Sequence, residues 1–273
     1  MRRLRAIILL GISVVAVAML CLGCGSGAGD SKTLKVGASA VPHAEILEAA
    51  KPLLEQQGIK LEIVEFNDYV QPNLALNSKE LDANFFQHKP YLDNFVAEHS
   101  DMQLKAVGGV HIAPMGVYSK KVQNLQELAA GAKIALPNDP TNGGRALLLL
   151  EKAGLIKLNP SAGLKATVHD VVENPKNLQF EEMEAAQVPR SLDDVAAAVI
   201  NTDYALRVGL VPSQEALTLE DSTSPYVNIV AVRAGDEDRP EIKALVKALH
   251  SDEVKQFILD KYKGAIVPAF TEE

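Results

Sequence analysis

Cysteine is nearly absent from this chain of 273 residues. Its two cysteines, Cys21 and Cys24, stand close to the N-terminus, and none follows residue 24. A cysteine nucleophile, a cysteine-ligated zinc ion, an iron–sulfur cluster and an internal disulfide are therefore excluded for the rest of the chain.

Aromatic residues are also few. Phe, Trp and Tyr make up 5% of the chain and tryptophan is absent, so Ala, Val, Leu and Ile must supply most of the packing. The length nevertheless allows two lobes of ordinary domain size, each with a core of its own.

Positive charge is in deficit. The chain has 27 Lys and Arg residues against 35 Asp and Glu, which gives a formal net charge of −8. A nucleic acid or an anionic lipid surface bound through a broad basic face is therefore not expected.

The first residues have the pattern of an export signal. Arg2, Arg3 and Arg5 precede an uncharged apolar run over residues 6–20, which is typical of a signal peptide. A membrane-spanning helix is the alternative, but the run is shorter than the about 20 residues that a span needs, and no positive flank follows it.

The run ends in Cys21-Leu-Gly-Cys24, which resembles a bacterial lipobox, although Cys21 stands where the pattern usually has Leu. We predict a lipoprotein signal peptide over residues 1–23, with Cys24 carrying the lipid (palmitate), and a flexible Gly- and Ser-rich tether over 24–32. The protein would hang from the cell membrane on its extracytoplasmic side.

Beyond the tether, short apolar strands alternate with helical runs. Strands are predicted over 34–38, 61–66, 133–136, 168–172, 179–183, 196–200 and 226–233, and helices over 43–57, 71–78, 145–153, 241–250 and 252–262. The opening β-α-β-α-β series predicts a mainly parallel sheet covered by helices.

Two extended passages, 107–119 and 226–233, are predicted to cross between lobes. The expected architecture is α/β with a cleft between two lobes. Residues 33–112 and 228–273 would form lobe 1, and residues 113–227 lobe 2.

The segment 82–91, Asp-Ala-Asn-Phe-Phe-Gln-His-Lys-Pro-Tyr, concentrates rings and amides. In an extended strand Asn84, Phe86 and His88 would share one face, and Tyr91 would follow one turn later on a helix. Such rings suit a cleft wall that grips an apolar group. The alternative is an ordinary core strand with a hydrogen-bonded histidine.

Other candidates stand where predicted strands end. Tyr69 and His88 fall at carboxyl ends of strands, where ligands of parallel sheets bind. Asn201 and Tyr204 stand at a strand-to-helix junction, and Asn228 lies on the return crossing. Their amides could hold an ammonium group and its neighbours, although Asn is also an ordinary turn residue.

The loop 138–144 is predicted to open a helix, with Thr141 or Asn142 as its cap, and to offer backbone N–H groups to an anion. Arg145 in the first turn would oppose the helix dipole, so a negative group is expected beside it. A phosphate is possible, but the loop lacks the lysine of a nucleotide loop, and a carboxylate fits better. The alternative is a surface Arg145 paired with an acid such as Glu184.

No motif for catalysis is present: the chain has no Gly-x-Ser-x-Gly elbow, phosphate loop or dinucleotide fingerprint. The six histidines lack short metal-binding spacings, so a distributed site of His43, His88 and His111 is the one metal hypothesis left open. We expect a binding protein with no catalytic residue, metal or cofactor. A lipid-anchored hydrolase of small amino-acid derivatives and an adhesin-like protein are the alternatives from other classes.

Several segments together resemble methionine-binding lipoproteins of the NlpA type, the substrate-binding component of a methionine ABC importer. The resemblance covers the chain beyond the signal and rests on Phe66-Asn-Asp-Tyr-Val-Gln-Pro-Asn73, Asp82-Ala-Asn-Phe-Phe-Gln-His-Lys-Pro-Tyr-Leu92, Pro137-Asn-Asp-Pro-Thr-Asn142, Leu147 to Leu150, Asp170-Val-Val-Glu-Asn-Pro-Lys-Asn-Leu178, Pro189-Arg-Ser-Leu-Asp-Asp194 and Ser224-Pro-Tyr-Val-Asn228. It implies a two-lobed periplasmic-binding-protein (type II-like) fold that closes on an amino acid. It also implies a lipid-anchored protein that delivers L-methionine to a permease driven by a cytoplasmic ATPase.

By position, the resemblance implies that Arg145 binds the ligand carboxylate, while Asn201 and Asn228 hold its amino and carboxylate ends. The implied ligand-binding set is Tyr69, Phe86, His88, Tyr91, Asn142, Arg145, Asn201 and Asn228, with the rings around the thioether. D-methionine and a methionine-containing dipeptide are the alternative ligands.

Overall fold

The computed structural model describes residues 32–221 and 224–272. The predicted signal peptide over 1–23, the lipidation site Cys24 and the tether up to residue 31 lie outside the described residues. Lys32 was assigned to the tether, but it is the first residue of a strand that pairs along its whole length with a neighbour. The predicted tether was therefore one residue too long.

The helices and strands follow one another in the order that the sequence predicts, with additions. The first half of the chain runs β1 (Lys32–Ser39), α1 (Glu45–Glu55), β2 (Ile59–Phe66), α2 (Gln71–Asn77), β3 (Ala83–His88), α3 (Lys89–Glu98), β4 (Leu104–Ile112), β5 (Gly116–Tyr118), β6 (Lys133–Pro137) and α4 (Pro140–Lys152). The second half runs β7 (Lys157–Leu158), β8 (Val171–Glu173), β9 (Gln179–Met183), β10 (Ala197–Ile200), α5 (Thr202–Arg207), α6 (Pro212–Glu215), β11 (Thr218–Leu219), β12 (Val227–Arg233), α7 (Pro240–Leu249), α8 (Asp252–Tyr262) and β13 (Val267–Glu272).

The first sheet has the strand order β13-β4-β12-β3-β1-β2. Its β2, β1 and β3 strands are parallel, as the opening β-α-β-α-β series predicts. The pairs β3 with β12, β12 with β4 and β4 with β13 are antiparallel. The expectation of a mainly parallel sheet was therefore wrong for the half formed by β12, β4 and β13. Strand β12 returns from the second sheet and β13 comes from the C-terminal segment, and both run antiparallel to their neighbours.

The second sheet has the order β11-β5-β10-β6-β9 and is likewise mixed. Its β10, β6 and β9 strands are parallel, and β5 pairs antiparallel with both β10 and β11. The chain passes between the sheets twice, from β4 to β5 and from β11 to β12. The predicted extended passage 107–119 therefore consists of two strands in different sheets.

Each sheet packs an apolar core against helices. The first sheet is covered by α1, α7 and α8, whose fully buried side chains include Leu47, Leu245 and Ile258. The second sheet is covered by α4 through Leu147 and Leu150. Because aromatic residues are few, Ala, Val, Leu and Ile side chains form most of both cores. In the part of the chain that the structure describes, no helix combines the length and the apolar content that crossing a bilayer requires.

One local prediction needs correction. Residues 168–172 were predicted as a strand, but Val168–Asp170 form a 3-10 turn closed by a capping box between Thr167 and Asp170, and the strand begins at Val171.

Candidate functional site

A small cavity lies where the two sheets face each other. The eight residues of the predicted ligand-binding set all line it: Tyr69, Phe86, His88, Tyr91, Asn142, Arg145, Asn201 and Asn228. The lining residues that the prediction did not include are His43, Gln87, Ala113, Thr202 and Asp203.

One wall of the cavity is aromatic. The ring of Tyr69 lies 6.0 Å from that of Phe86 and 5.8 Å from that of Tyr91. Tyr204 adds a ring 5.0 Å from Tyr69 on the other side. The phenol of Tyr91 donates a hydrogen bond of 3.0 Å to the backbone carbonyl of Tyr69, which fixes the two rings. The wall is thus apolar toward the cavity and hydrogen-bonded behind it.

A bulge turns the end of β3 toward this wall. β12 pairs with Gln87 and with Phe85 but skips Phe86, so β3 has one residue more than its partner. Gln87 consequently donates a 2.9 Å hydrogen bond to Asn84, three positions away. The prediction that Asn84, Phe86 and His88 share one face of a regular strand was wrong for this reason, since an extra residue interrupts the alternation.

His88 joins the two sides of the cavity. It is the N-cap of α3, and its Nδ1 accepts a 3.1 Å hydrogen bond from the backbone N–H of Tyr91. Its Nε2 therefore carries the proton and donates to Oδ1 of Asn142, 3.1 Å away on α4. Burial lowers the pKa of His88 to about 3, with the positive charge of Arg145 acting in the same direction. The ring is neutral at pH 7.

Both polar atoms of the Asn142 side chain are hydrogen-bonded within the site. Its Oδ1 accepts from His88 and from Nδ2 of Asn201 at 2.8 Å, and its Nδ2 donates to both carboxylate oxygens of Asp139. Asp139 is the N-cap of α4, since its carboxylate also accepts from the backbone N–H of Asn142. The predicted caps Thr141 and Asn142 were therefore wrong, and the predicted anion site of loop 138–144 is filled by the carboxylate of Asp139.

Arg145 lies in the second turn of α4, because the helix begins at Pro140 and not at Arg145. The dipole argument for a nearby anion fails there, since the effect fades within the first turn. The side chain is 3% exposed and pairs with Glu220, so a surface pair with Glu184 was the wrong alternative. Nε lies 3.1 Å from both oxygens of Glu220, Nη2 donates to Glu220 and to the carbonyl of Ala113, and the guanidinium stacks 4.3 Å over the Tyr226 ring.

Several polar atoms in the cavity have no partner among the described residues. Nη1 of Arg145 makes no hydrogen bond to another described side chain or carbonyl. Oδ1 of Asn201 and Oδ2 of Asp203 are buried acceptors without a donor. Asn228 accepts a 2.9 Å hydrogen bond from Nε2 of His43 through Oδ1, which leaves its amide N–H groups for another acceptor. Donors and acceptors for a zwitterion are therefore both present.

Three histidines line or underlie the cavity. Burial lowers the pKa of His43 to about 4, and it lowers that of His111 well below the ordinary value, helped by the neighbouring His43. The rings of His43 and His111 lie 5.0 Å apart, but Nε2 of His88 is bonded to Asn142. Within residues 32–221 and 224–272, no group of three or more His, Cys, Asp or Glu side chains is arranged to hold a metal ion.

Asp203 and Glu220 are the charged residues that sequence reasoning missed. Asp203 stands two positions after Asn201 at the same strand end, and that spacing was the one available signal. Glu220 follows the two-residue strand β11, and nothing in its sequence neighbourhood indicates that it meets Arg145, 75 positions earlier.

Two mixed β-sheets covered by helices, with a polar and aromatic cavity between them, define the fold of the two-lobed periplasmic binding proteins. The chain belongs to the NlpA lipoprotein family, whose model matches residues 34–270. It is 47% identical over 249 residues to the D-methionine-binding lipoprotein MetQ of Escherichia coli K12, which covers 90% of this chain and 92% of that one. The family and fold that the sequence predicts are thereby confirmed.

Solved structures give the same result. A nutrient binding protein from Burkholderia cenocepacia, solved bound to methionine, is 51% identical and superposes with a TM-score of 0.84 over 87% of this chain and 100% of that one. A crystal structure of the methionine binding protein MetQ is 46% identical, with a TM-score of 0.86 over 89% of this chain and 100% of that one.

Proposed function

We propose that the protein is an extracytoplasmic substrate-binding protein that captures L-methionine and delivers it to an ABC importer. The observation that carries this proposal is that one small cavity combines an aromatic wall with donors on Arg145 and Asn228 and acceptors on Asn201 and Asp203 that have no partner among the described residues. Relatives that are named for methionine binding, or were solved bound to methionine, support methionine as the ligand.

In this proposal Arg145 and Asn228 bind the ligand carboxylate. Nη1 of Arg145 is the nitrogen left over by Glu220, and a guanidinium gives a carboxylate a charge-assisted hydrogen bond. The amide N–H groups of Asn228 are free because His43 occupies its oxygen. Glu220 holds the guanidinium in place from behind.

The ammonium group and the side chain of methionine have separate places. Oδ1 of Asn201 accepts from the ammonium group, since it is a buried acceptor without a donor among the described residues. The thioether packs on the rings of Tyr69, Phe86 and Tyr91, where sulfur–aromatic contacts contribute about 0.3–1.5 kcal/mol each. Asn142 and His88 act by positioning Asn201 and Tyr91.

Anchoring and delivery complete the proposal. The lipid on Cys24 holds the protein at the cell membrane, and the partners are the permease and ATPase subunits of a methionine importer. Residues 33–112 with 228–273, and residues 113–227, form the two lobes, which close about the crossings near Val110 and Tyr226. The closed state is the form that the permease recognises, and the protein itself is not an enzyme.

The first test is mass spectrometry of small molecules released by denaturing the purified protein, followed by calorimetric titration of the refolded protein with L-methionine. Arg145→Ala is expected to abolish measurable binding. Arg190→Ala, which removes an exposed arginine, is the matched control and should bind like wild type. A wild-type protein that does not bind methionine would refute the proposal.

D-methionine is the second candidate ligand, because several relatives carry it in their names. Titration with both enantiomers and with a Gly-Met dipeptide separates the possibilities, since the physiological ligand should bind at the lowest concentration. Product released over many turnovers from small amino-acid amides or esters would instead establish the hydrolase alternative.

The anchor has its own test. Labelled palmitate supplied to growing cells should enter wild-type protein and Cys21→Ala but not Cys24→Ala. Label that remains in Cys24→Ala would move the lipidation site.

A further inference from the structure

We propose that Asp203 is the anionic partner of the ligand's ammonium group, and that it restricts the cavity to ligands with a free, protonated amine. The proposal rests on the proposed function, which places a zwitterion in the cavity, and adds a residue that decides which analogues are accepted.

Asp203 is a buried carboxylate with one oxygen that has no side-chain donor among the described residues. It is 5% exposed and lies on the first turn of α5, directly after Asn201 and Thr202 at the end of β10. Its Oδ1 accepts a 2.6 Å hydrogen bond from the phenol of Tyr69, while Oδ2 has no donor among the described residues. A buried carboxylate oxygen left without a donor is costly, so the site is built to receive one.

The donor must suit two acceptors at once. Oδ1 of Asn201 is also buried without a donor, and it belongs to the same strand-to-helix junction. An ammonium group carries three N–H bonds and one positive charge, so it can satisfy both oxygens. A neutral amide or hydroxyl would leave the charge of Asp203 unbalanced.

Charge balance across the cavity points the same way. The positive charge of Arg145 is already matched by Glu220, and His43 and His88 are neutral. Burial raises the pKa of Asp203 to about 6, although the Tyr69 hydrogen bond, the backbone N–H groups of Tyr204 and Asp203 and the charge of Arg207 oppose the shift, so its ionised form is incompletely stabilised. An ammonium group beside it supplies what is missing.

A purely structural role is the competing explanation. Asp203 belongs to a set of contacts between α5 and the segment after β2. Tyr69 bonds to Asp203, Tyr204 donates to the carbonyl of Asn67 at 3.3 Å, and Arg207 donates to its side chain at 2.5 Å. If Asp203 served these contacts alone, its loss would weaken every ligand by the same factor.

The test compares two ligands that differ only in the amine. L-methionine and its deamino analogue, 4-methylthiobutanoate, are titrated into wild type and into the isosteric variant Asp203→Asn. We expect the variant to bind methionine about 10- to 100-fold more weakly, as loss of a charged hydrogen bond predicts, while its affinity for the analogue changes less than about 3-fold. Tyr69→Phe keeps the ring and the carboxylate but removes a hydrogen bond that stabilises ionised Asp203, so it should weaken methionine more than the analogue.

Equal losses for the two ligands in Asp203→Asn would overturn the assignment and leave methionine binding intact. A wild-type protein that binds neither ligand would overturn the proposed function and this assignment together. A variant that does not fold is replaced by Asp203→Ser, read in the same way.

A second measurement needs no variant. Between pH 7.5 and 5.0 the wild-type affinity for methionine should fall about 3- to 10-fold, because a proton must leave Asp203 before the ammonium group binds. The groups facing Asp203 are Tyr69, Tyr204 and Arg207, and burial raises the pKa values of both tyrosines, so they do not titrate in this range. An affinity for methionine as insensitive to pH as that for the analogue would contradict the assignment.

Discussion

The guanidinium of Arg145 donates to Glu220 through Nε and Nη2, and this ion pair leaves Nη1 for a ligand. The side chains are 3% and 14% exposed, so the pair is nearly removed from water. Glu220 also accepts from the backbone N–H of Met115 at 3.3 Å, on the crossing between the sheets. The acid therefore balances the charge of Arg145 and fixes its direction.

Glu220→Gln should destabilise the ligand-free protein. A buried charge that loses its partner costs about 3–5 kcal/mol, and we expect about 3 kcal/mol because Gln keeps one hydrogen bond and the site is slightly exposed. The free energy of unfolding is measured by chemical denaturation. Saturating methionine should recover part of the loss, since its carboxylate then becomes the counter-charge of Arg145.

Asp221→Asn is the control for Glu220→Gln. Its carboxylate pairs with Lys152 at 2.5 Å, but the side chains are 71% and 50% exposed. Surface pairs contribute about 0–1 kcal/mol. Equal effects of the two substitutions would contradict the buried role assigned to Glu220.

Asn142→Ala is expected to cost about 2–4 kcal/mol of unfolding free energy. It leaves the N–H donors of His88 and Asn201 without their shared acceptor, and each buried donor so orphaned costs about 1–3 kcal/mol. Asn159→Ala removes an exposed amide whose oxygen accepts hydrogen bonds from neighbouring Ser161, and it serves as the control. A loss below about 1 kcal/mol for Asn142→Ala would show that these hydrogen bonds are weak.

Gly144→Ala should destabilise the protein although alanine is the better helix former. A Cβ atom at this position would lie 2.4 Å from the backbone carbonyl oxygen of Leu164, so the 3-10 turn Gly163–Lys165 must move away from α4. Overpacking of this kind costs about 1–3 kcal/mol, more than the about 1 kcal/mol gained in helix propensity. Thermal unfolding measures the balance, and a raised melting temperature would contradict it.

The parts of the fold that depend on local pattern were predictable from the sequence. Strands β1, β2, β6 and β9 and helices α1, α2, α7 and α8 lie within a few residues of their predicted positions, because apolar periodicity and neighbouring Gly or Pro residues mark them. Strand β13 was missed, since its polar and apolar residues do not alternate and its partner β4 lies more than 150 positions earlier.

The cavity was predictable in its residues but not in its hydrogen bonds. Tyr69, His88 and Asn201 follow strands, and the ends of parallel strands meet at one edge. The start of α4 was misplaced because the cap is Asp139, followed by Pro140, and a proline at the first helical position is a signal that favours this earlier start. The partner of Arg145 depends on how the chain returns between the sheets, which local pattern does not encode.

Acidification should weaken the folded state. In the ligand-free protein, His43 and His88 have pKa values of about 4 and 3, below the ordinary 6.5 of an exposed histidine. Below pH 6.5 these histidines take up protons in the unfolded chain but stay neutral in the folded protein. Their contribution to the free energy of unfolding is therefore fully present above pH 6.5 and is lost as the pH falls toward 4. At pH 5.0 each ring costs about 2 kcal/mol, at 1.36 kcal/mol per pH unit.

Asp203 acts in the opposite direction. Its pKa is raised from 3.8 to about 6, so its ionised form penalises the folded state above pH 6, and the penalty is relieved as the pH falls from 6 toward 3.8. By pH 5.0 this relief amounts to about 1.4 kcal/mol. His43, His88 and Asp203 together therefore predict a loss of about 3 kcal/mol between pH 7.5 and 5.0. His111 makes the loss larger, because burial lowers its pKa as well.

Chemical denaturation at the two pH values measures this difference, and His43→Gln isolates one contribution. Gln can still donate to Asn228 but does not take up a proton, so the variant should lose about 2 kcal/mol less than wild type on acidification. His169→Gln, which changes an exposed histidine, controls for the loss of an imidazole. If His43→Gln and wild type lost the same stability, the neutral buried state of His43 would be refuted, and with it the argument that Asp203 carries the only uncompensated charge among the described residues that line the cavity.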